Sequence, residues 1–236
     1  MALWRKGLRF EREWLLSLRI QSDCTPPSPA SLTLTPGPHM QALEVRCNGL
    51  PVVTAGAADS LLVSLHLTTL VDGEHPATLR IGGMRDLGNE RQSHTLWIEE
   101  MVLAEGDELR LTLVSVDEAT LPTEDVAADS EEHLAEQADY EKELAANPPQ
   151  PTKLERRRPN ASLQLSVGAE PFIVAGFGSD GELLSLGATW NSWHPERFHL
   201  NLSSCSCEQA IARKGGNNWF KGHVSQGETV VVRICG

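Results

Sequence analysis

Sulfur and imidazole carry the sharpest chemical potential in this chain. Cys205-Ser206-Cys207 sets two thiols one residue apart, with His194 and His199 shortly upstream. Zinc accepts both residue types, but its structural sites use ligand pairs separated by roughly two to four residues and about four ligands in all. A C-x-C has a single intervening residue, and Met84–Asp86, which holds the corresponding place in the first half of the chain, contains no thiol. The spacing predicts no metal site but two small, soft residues at a strand end or in a loop. On a strand, the two thiols would share a face. A nucleophile built from Cys205 or Cys207 with His199 or His223 needs a base oriented by a third group, which the sequence does not identify.

Other catalytic signatures are missing. There is no G-x-x-x-x-G-K-[ST] loop, no H-E-x-x-H and no G-x-S-x-G elbow. Gly215-Gly216-Asn217-Asn218 is rich in glycine but lacks a strand before it and a helix after it, so it reads as a turn. His75-Pro76 and His194-Pro195 recur, and the extended geometry forced before proline accounts for both as loop shape. Adjacent carboxylates such as Glu99-Glu100 point to opposite faces of a strand and cannot act together. The expectation is a protein that is not an enzyme, with no catalytic residue, no metal and no cofactor.

Two groups are better suited to binding. The first is acidic. Glu131, Glu132, Glu136, Asp139, Glu141 and Glu143 crowd one segment of a chain whose net charge is -12. Such a balance is repelled by phosphate backbones and anionic membranes, and it suits a basic protein partner gained by electrostatic steering. An acidic inhibitor, for example an immunity protein opposing a basic nuclease toxin, has this character. The competing structural reading is a solvated linker helix. Arg156-Arg157-Arg158 is too short and too close to the acidic run to signal nucleic-acid binding. The second group is Trp190, Trp193 and His194, which offers a stacking platform to a small ligand such as a sugar. The first half has Leu70 and Gly73 roughly opposite, so this site would belong to the second half alone.

The elements that must position these groups come from an internal repeat. Leu43–Gly56 (LEVRCNGLPVVTAG) lies over Leu163–Gly176 (LQLSVGAEPFIVAG) without a gap and with four identities. Roughly one is expected from ordinary residue frequencies. The correspondence continues in order. Leu62–Leu65 meets Leu183–Leu186, Leu79 and Ile81 meet Leu200 and Leu202, Trp97 meets Trp219, and Val102 meets Val224. Glu105-Gly106-Asp107 then meets Gln226-Gly227-Glu228, and Leu109, Leu111 and Leu113 meet Val230, Val232 and Ile234. Alternation at period two marks strands, and Asn48-Gly49 marks a hairpin turn. The two tryptophans read as matched core anchors.

The predicted fold is all-β with an acidic linker helix, as two tandem copies of a small β-sandwich or partly open barrel. Copy one spans 40–117 and copy two spans 161–236. Between them, 118–160 is a proline-punctuated linker whose Asp129–Ala146 stretch is rich in helix formers, with Asp129 or Ser130 as N-cap. Residues 1–39 have no counterpart in the second copy. Cys24–His39 is rich in Pro, Ser and Thr, so 1–39 is expected to be disordered or a gene-model extension ahead of Met40, the rival being an amphipathic helix over Leu3–Ile20. Glu11, Arg12, Glu13 and Arg19 interrupt any apolar run of a secretory signal, and no stretch approaches the roughly 18 apolar residues of a membrane span. The five cysteines are then expected as free thiols of a cytoplasmic protein, with no membrane and no nucleic acid among its partners.

Overall fold

Asn48 and Gly49 both take left-handed backbone, with φ 53° and 79°. That is the geometry of a two-residue type I′ turn, and the asparagine-glycine pair supplies it with little strain. It joins β1 (Met40–Cys47) to β2 (Leu50–Ala55), with Cys47 opposite Leu50. A computed structural model describes residues 40–157 and 161–236. The expectations for 1–39 lie outside the described residues.

Described residues form β3 (Ser60–Leu70), β4 (Ala77–Gly88), β5 (Arg91–Leu103), β6 (Glu108–Val116) and β7 (Glu124–Ala127). Helix α1 (Glu131–Ala146) follows, then β8 (Ser162–Val167), β9 (Ile173–Gly176), β10 (Leu183–Asn191) and β11 (Arg197–Cys205). A short α2 (Cys207–Ile211), β12 (Asn217–Ser225) and β13 (Thr229–Cys235) complete the chain. The protein is therefore all-β, with two helices among its described residues.

The strands make two sheets. One has the order β2-β1-β6-β13-β8-β9 and the other β12-β11-β10-β3-β4-β5-β7. With β1 to β6 set over β8 to β13, each order reads the same from either end, except that β7 adds one strand. Each sheet is continuous across both halves of the sequence. β6 lies beside β13 with Leu111 opposite Val230, and β3 lies beside β10 with Leu65 opposite Ala188. At the first seam the hydroxyls of Thr112 and Thr229 meet at 3.1 Å.

Alternation explains the burial. Leu109, Leu111 and Leu113 of β6, Val230, Val232 and Ile234 of β13, Val63, Leu65 and Leu67 of β3, and Leu184, Leu186 and Ala188 of β10 are all buried in one apolar cluster. Trp97 is buried as expected, with its indole N–H donated to the carbonyl of Thr120 at 2.9 Å. Trp219 is only partly buried and donates to the Ser204 hydroxyl at 3.0 Å.

Three details differ from the sequence reading. Val102 is 48% exposed whereas Val224 is buried, so these two are not counterparts. Leu103, opposite Ala77, takes the place of Val224, which is opposite Phe198; register shifts in the β4–β5 pair produce the one-residue slip. Glu124–Ala127, read as linker, is strand β7 on the free side of β5, with Thr95 opposite Asp125. Lastly, Cys205 ends β11 and Cys207 opens α2, so the two thiols do not share a strand face.

Candidate functional site

Helix α1 forms where helix-forming residues follow a good cap. The Ser130 side chain accepts the N–H of His133 at 3.2 Å, and Glu131 and Glu132 sit at the positive end of the helix dipole. None of the helix is buried, and no basic residue occupies its last turn. Residues Glu131, Glu132, Glu136, Asp139, Glu141 and Glu143 are all exposed. At about 100° per residue, Glu132, Glu136, Asp139 and Glu143 fall within about 60° of one another, a single acidic stripe. Leu134, Ala138 and Ala145 lie on the opposite side and are exposed as well, Leu134 by 51%.

This stripe works against the helix. Carboxylates four apart, such as Glu132 with Glu136 and Asp139 with Glu143, repel by about 0.2–0.5 kcal/mol per pair. Lys142 offsets part of this repulsion, with its ammonium 3.1 Å from Asp139. The helix is tied to the sheet at its N-terminal end. Arg91 holds Asp129 through two hydrogen bonds of 2.7 and 3.0 Å, and this guanidinium keeps the Asp129 carboxyl below its ordinary value. The rings of His94 on β5 and His133 lie 5.0 Å apart. Nearby, Arg85 binds both oxygens of Asp59 at 2.8 and 2.7 Å and also pairs with Asp125 of β7. These anchors were missed in sequence because each joins residues distant along the chain.

The aromatic candidates are separated by burial. Trp190 is only 5% exposed; it faces the core from β10 and donates its indole N–H to the carbonyl of Pro195 at 3.2 Å. Its ring offers no free face, so the expected aromatic pair is reduced to Trp193. That residue is 75% exposed in the loop between β10 and β11. His194 beside it has Nδ1 at 4.0 Å from Glu196. The period-two pattern of Leu184, Leu186 and Ala188 predicts the inward direction of Trp190, a signal carried by the strand rather than by the tryptophan.

The cysteine segment is organised by a residue the sequence reading passed over. Glu182 is 8% exposed. One carboxylate oxygen accepts the N–H of Leu154 and the other the N–H of Cys207, both at 2.8 Å. Its own N–H donates to the Cys205 carbonyl, and its carbonyl accepts the N–H of Val71. Burial alone would raise its pKa, but the N–H groups of Cys207 and Leu154, the Cys207 thiol and Lys153 outweigh that and hold it low. Burial first, then the Glu182 carboxylate, pushes the Cys207 thiol up to about 11, and the same two causes raise Cys205. Both thiols are therefore poor nucleophiles. A shallow cleft of about 320 Å³ beside α2 is lined by Asp180, Ser206, Glu208 and Lys214 among others, and no cysteine reaches it. Among the described residues no group of three or more His, Cys, Asp or Glu is arranged to hold a metal.

His199 and His223 lie opposite each other on β11 and β12, edge to face with ring centres 5.6 Å apart. Burial, then His223 and Lys221, hold His199 below its ordinary value. Among the described residues no helix is long and apolar enough to cross a membrane. Comparison with protein-family models, with curated proteins and with solved structures gives no match.

Proposed function

We propose that this chain is a non-enzymatic interaction module that offers α1 to a basic protein surface, in the manner of an acidic inhibitor or immunity protein. One observation carries the reading: a 16-residue helix contributes no buried residue to the fold and keeps a mutually repelling row of carboxylates in solvent. A short helix with so little packing is marginal in water, so a covering surface would add to its stability. Leu134 and the acidic stripe supply the apolar and charged contacts that such a surface needs. Charge reversal by Glu131→Lys, Glu132→Lys and Glu136→Lys is expected to slow association with a basic partner at least tenfold at low salt. An on-rate that does not change removes the steering role.

A second reading rests on Trp193, whose exposed ring beside His194 suits a small stacking ligand such as a sugar. Its test is a ligand-dependent change in tryptophan fluorescence that disappears in Trp193→Ala.

Both readings sit on an architecture interpreted here as a duplicated sandwich. The mirrored strand orders and the matching sequence blocks support duplication, and the core shared by both sheets supports face-to-face packing. A cytoplasmic setting accords with Cys47, Cys205, Cys207 and Cys235 as free thiols.

A further inference from the structure

The outer face of the seven-stranded sheet carries one row across five strands. Gly82 lies opposite Ser64, Ser64 opposite Thr189, Thr189 opposite His199, and His199 opposite His223. Phe198, Leu200 and Val224, the chain neighbours on the alternate face, are buried, so both imidazoles stand on the face turned away from the core. Directly opposed residues hold their Cβ atoms about 4.5–5.5 Å apart. Two imidazoles bound to one tetrahedral ion at about 2.0–2.1 Å place their ring centres about 5 Å apart. The observed ring centres are 5.6 Å apart, edge to face, so both rings must turn towards each other to share an ion.

We propose that His199 and His223 form a two-imidazole chelate for a borderline divalent cation, Zn²⁺ or Cu²⁺. Imidazole nitrogen suits both ions. Among the described residues no third His, Cys, Asp or Glu joins the pair, and the proposed chelate is a two-imidazole one with water as its remaining ligands. Arg197 and Lys221, on the same face of β11 and β12, are cationic and keep the affinity modest. The site is independent of the α1 reading, because β12 and β7 are the opposite edges of this sheet.

The test is titration of the untagged full chain with Cu²⁺ alone, its free thiols alkylated beforehand so that they neither reduce nor bind the ion, followed by calorimetry and electron paramagnetic resonance. The tightest-bound ion is expected to show two equatorial nitrogen couplings. Each of His199→Asn and His223→Asn should weaken the tightest binding by about tenfold or more, through the lost effective concentration of the second ring, and by more than His133→Asn, which breaks the other close imidazole pair, His94 with His133 at 5.0 Å. Wild-type affinity in either β11 or β12 variant, or a loss that follows His133 instead, overturns the proposal. The nitrogen couplings of the unaltered protein decide the matter without any variant: fewer than two equatorial nitrogens also overturns it.

Discussion

At the scale of single residues, the informative side chains are buried polar ones. The Glu182 carboxylate ties the end of the connecting segment to the start of α2, and its backbone carbonyl accepts the N–H of Val71 just after β3. In Glu182→Gln the amide nitrogen cannot accept, so one of the two N–H groups loses its partner. A cost of about 1–3 kcal/mol is expected, read as a lower urea midpoint. The same change removes the negative charge that helps raise the Cys207 thiol, so alkylation of Cys207 should run faster than in the unaltered protein. An unchanged alkylation rate would show that burial alone silences it. His66 on β3 is driven down to about 4 by burial and then by Arg80. Its folded value lies below the ordinary 6.5, so the fold favours the neutral ring. It costs nothing above that value and removes stability as pH falls from 6.5 towards 4. Between pH 7.5 and 5 the loss is on the order of 2 kcal/mol, and it should shrink in His66→Phe, measured by urea unfolding at both pH values. The roles of Glu182 and His66 were not legible in sequence. A lone glutamate before a strand and a histidine on an alternating strand look like ordinary surface residues until pairing shows what covers them.

At the scale of elements, local signals were read where the physics is local. The Asn48-Gly49 hairpin, the alternating runs of β6 and β13, and the capped helix all follow from neighbours in the chain. Strand β7 was not read, because Glu124–Ala127 has neither the length nor the alternation of a strand and pairs only because β5 presents a free edge. The Trp190 and Trp193 platform failed for a related reason: three residues apart across a strand end, one ring turns to the core and the other to solvent. Two predictions belong here. Ser130→Ala removes the cap of a helix that has no buried residue, so about 1 kcal/mol of helix stability is lost. Helical circular dichroism should fall while the unfolding midpoint stays in place, and a shifted midpoint would mean that α1 supports the core. Leu111→Ala, at the centre of the six-stranded sheet, should instead cost about 2–5 kcal/mol of global stability.

For the whole molecule, pairing across the two seams makes the halves interdependent. Leu111 opposite Val230 and Leu65 opposite Ala188 join the two halves within each sheet. The sequence pattern predicts that the halves correspond but not that they share sheets, since strand order is set by edges and twist rather than by periodicity. Helix α1 adds no fully buried residue to the core that the two sheets share, and that is the basis of the functional reading. The most direct test immobilises the full chain beside its Glu131→Lys, Glu132→Lys, Glu136→Lys counterpart, passes native lysate over both at low and moderate salt, and identifies what is retained by mass spectrometry. One basic protein held near one-to-one by the unaltered chain, released as salt rises and absent from the charge-reversed chain, is the expected result. The same protein retained equally by both, or no basic protein retained at low salt, would contradict it.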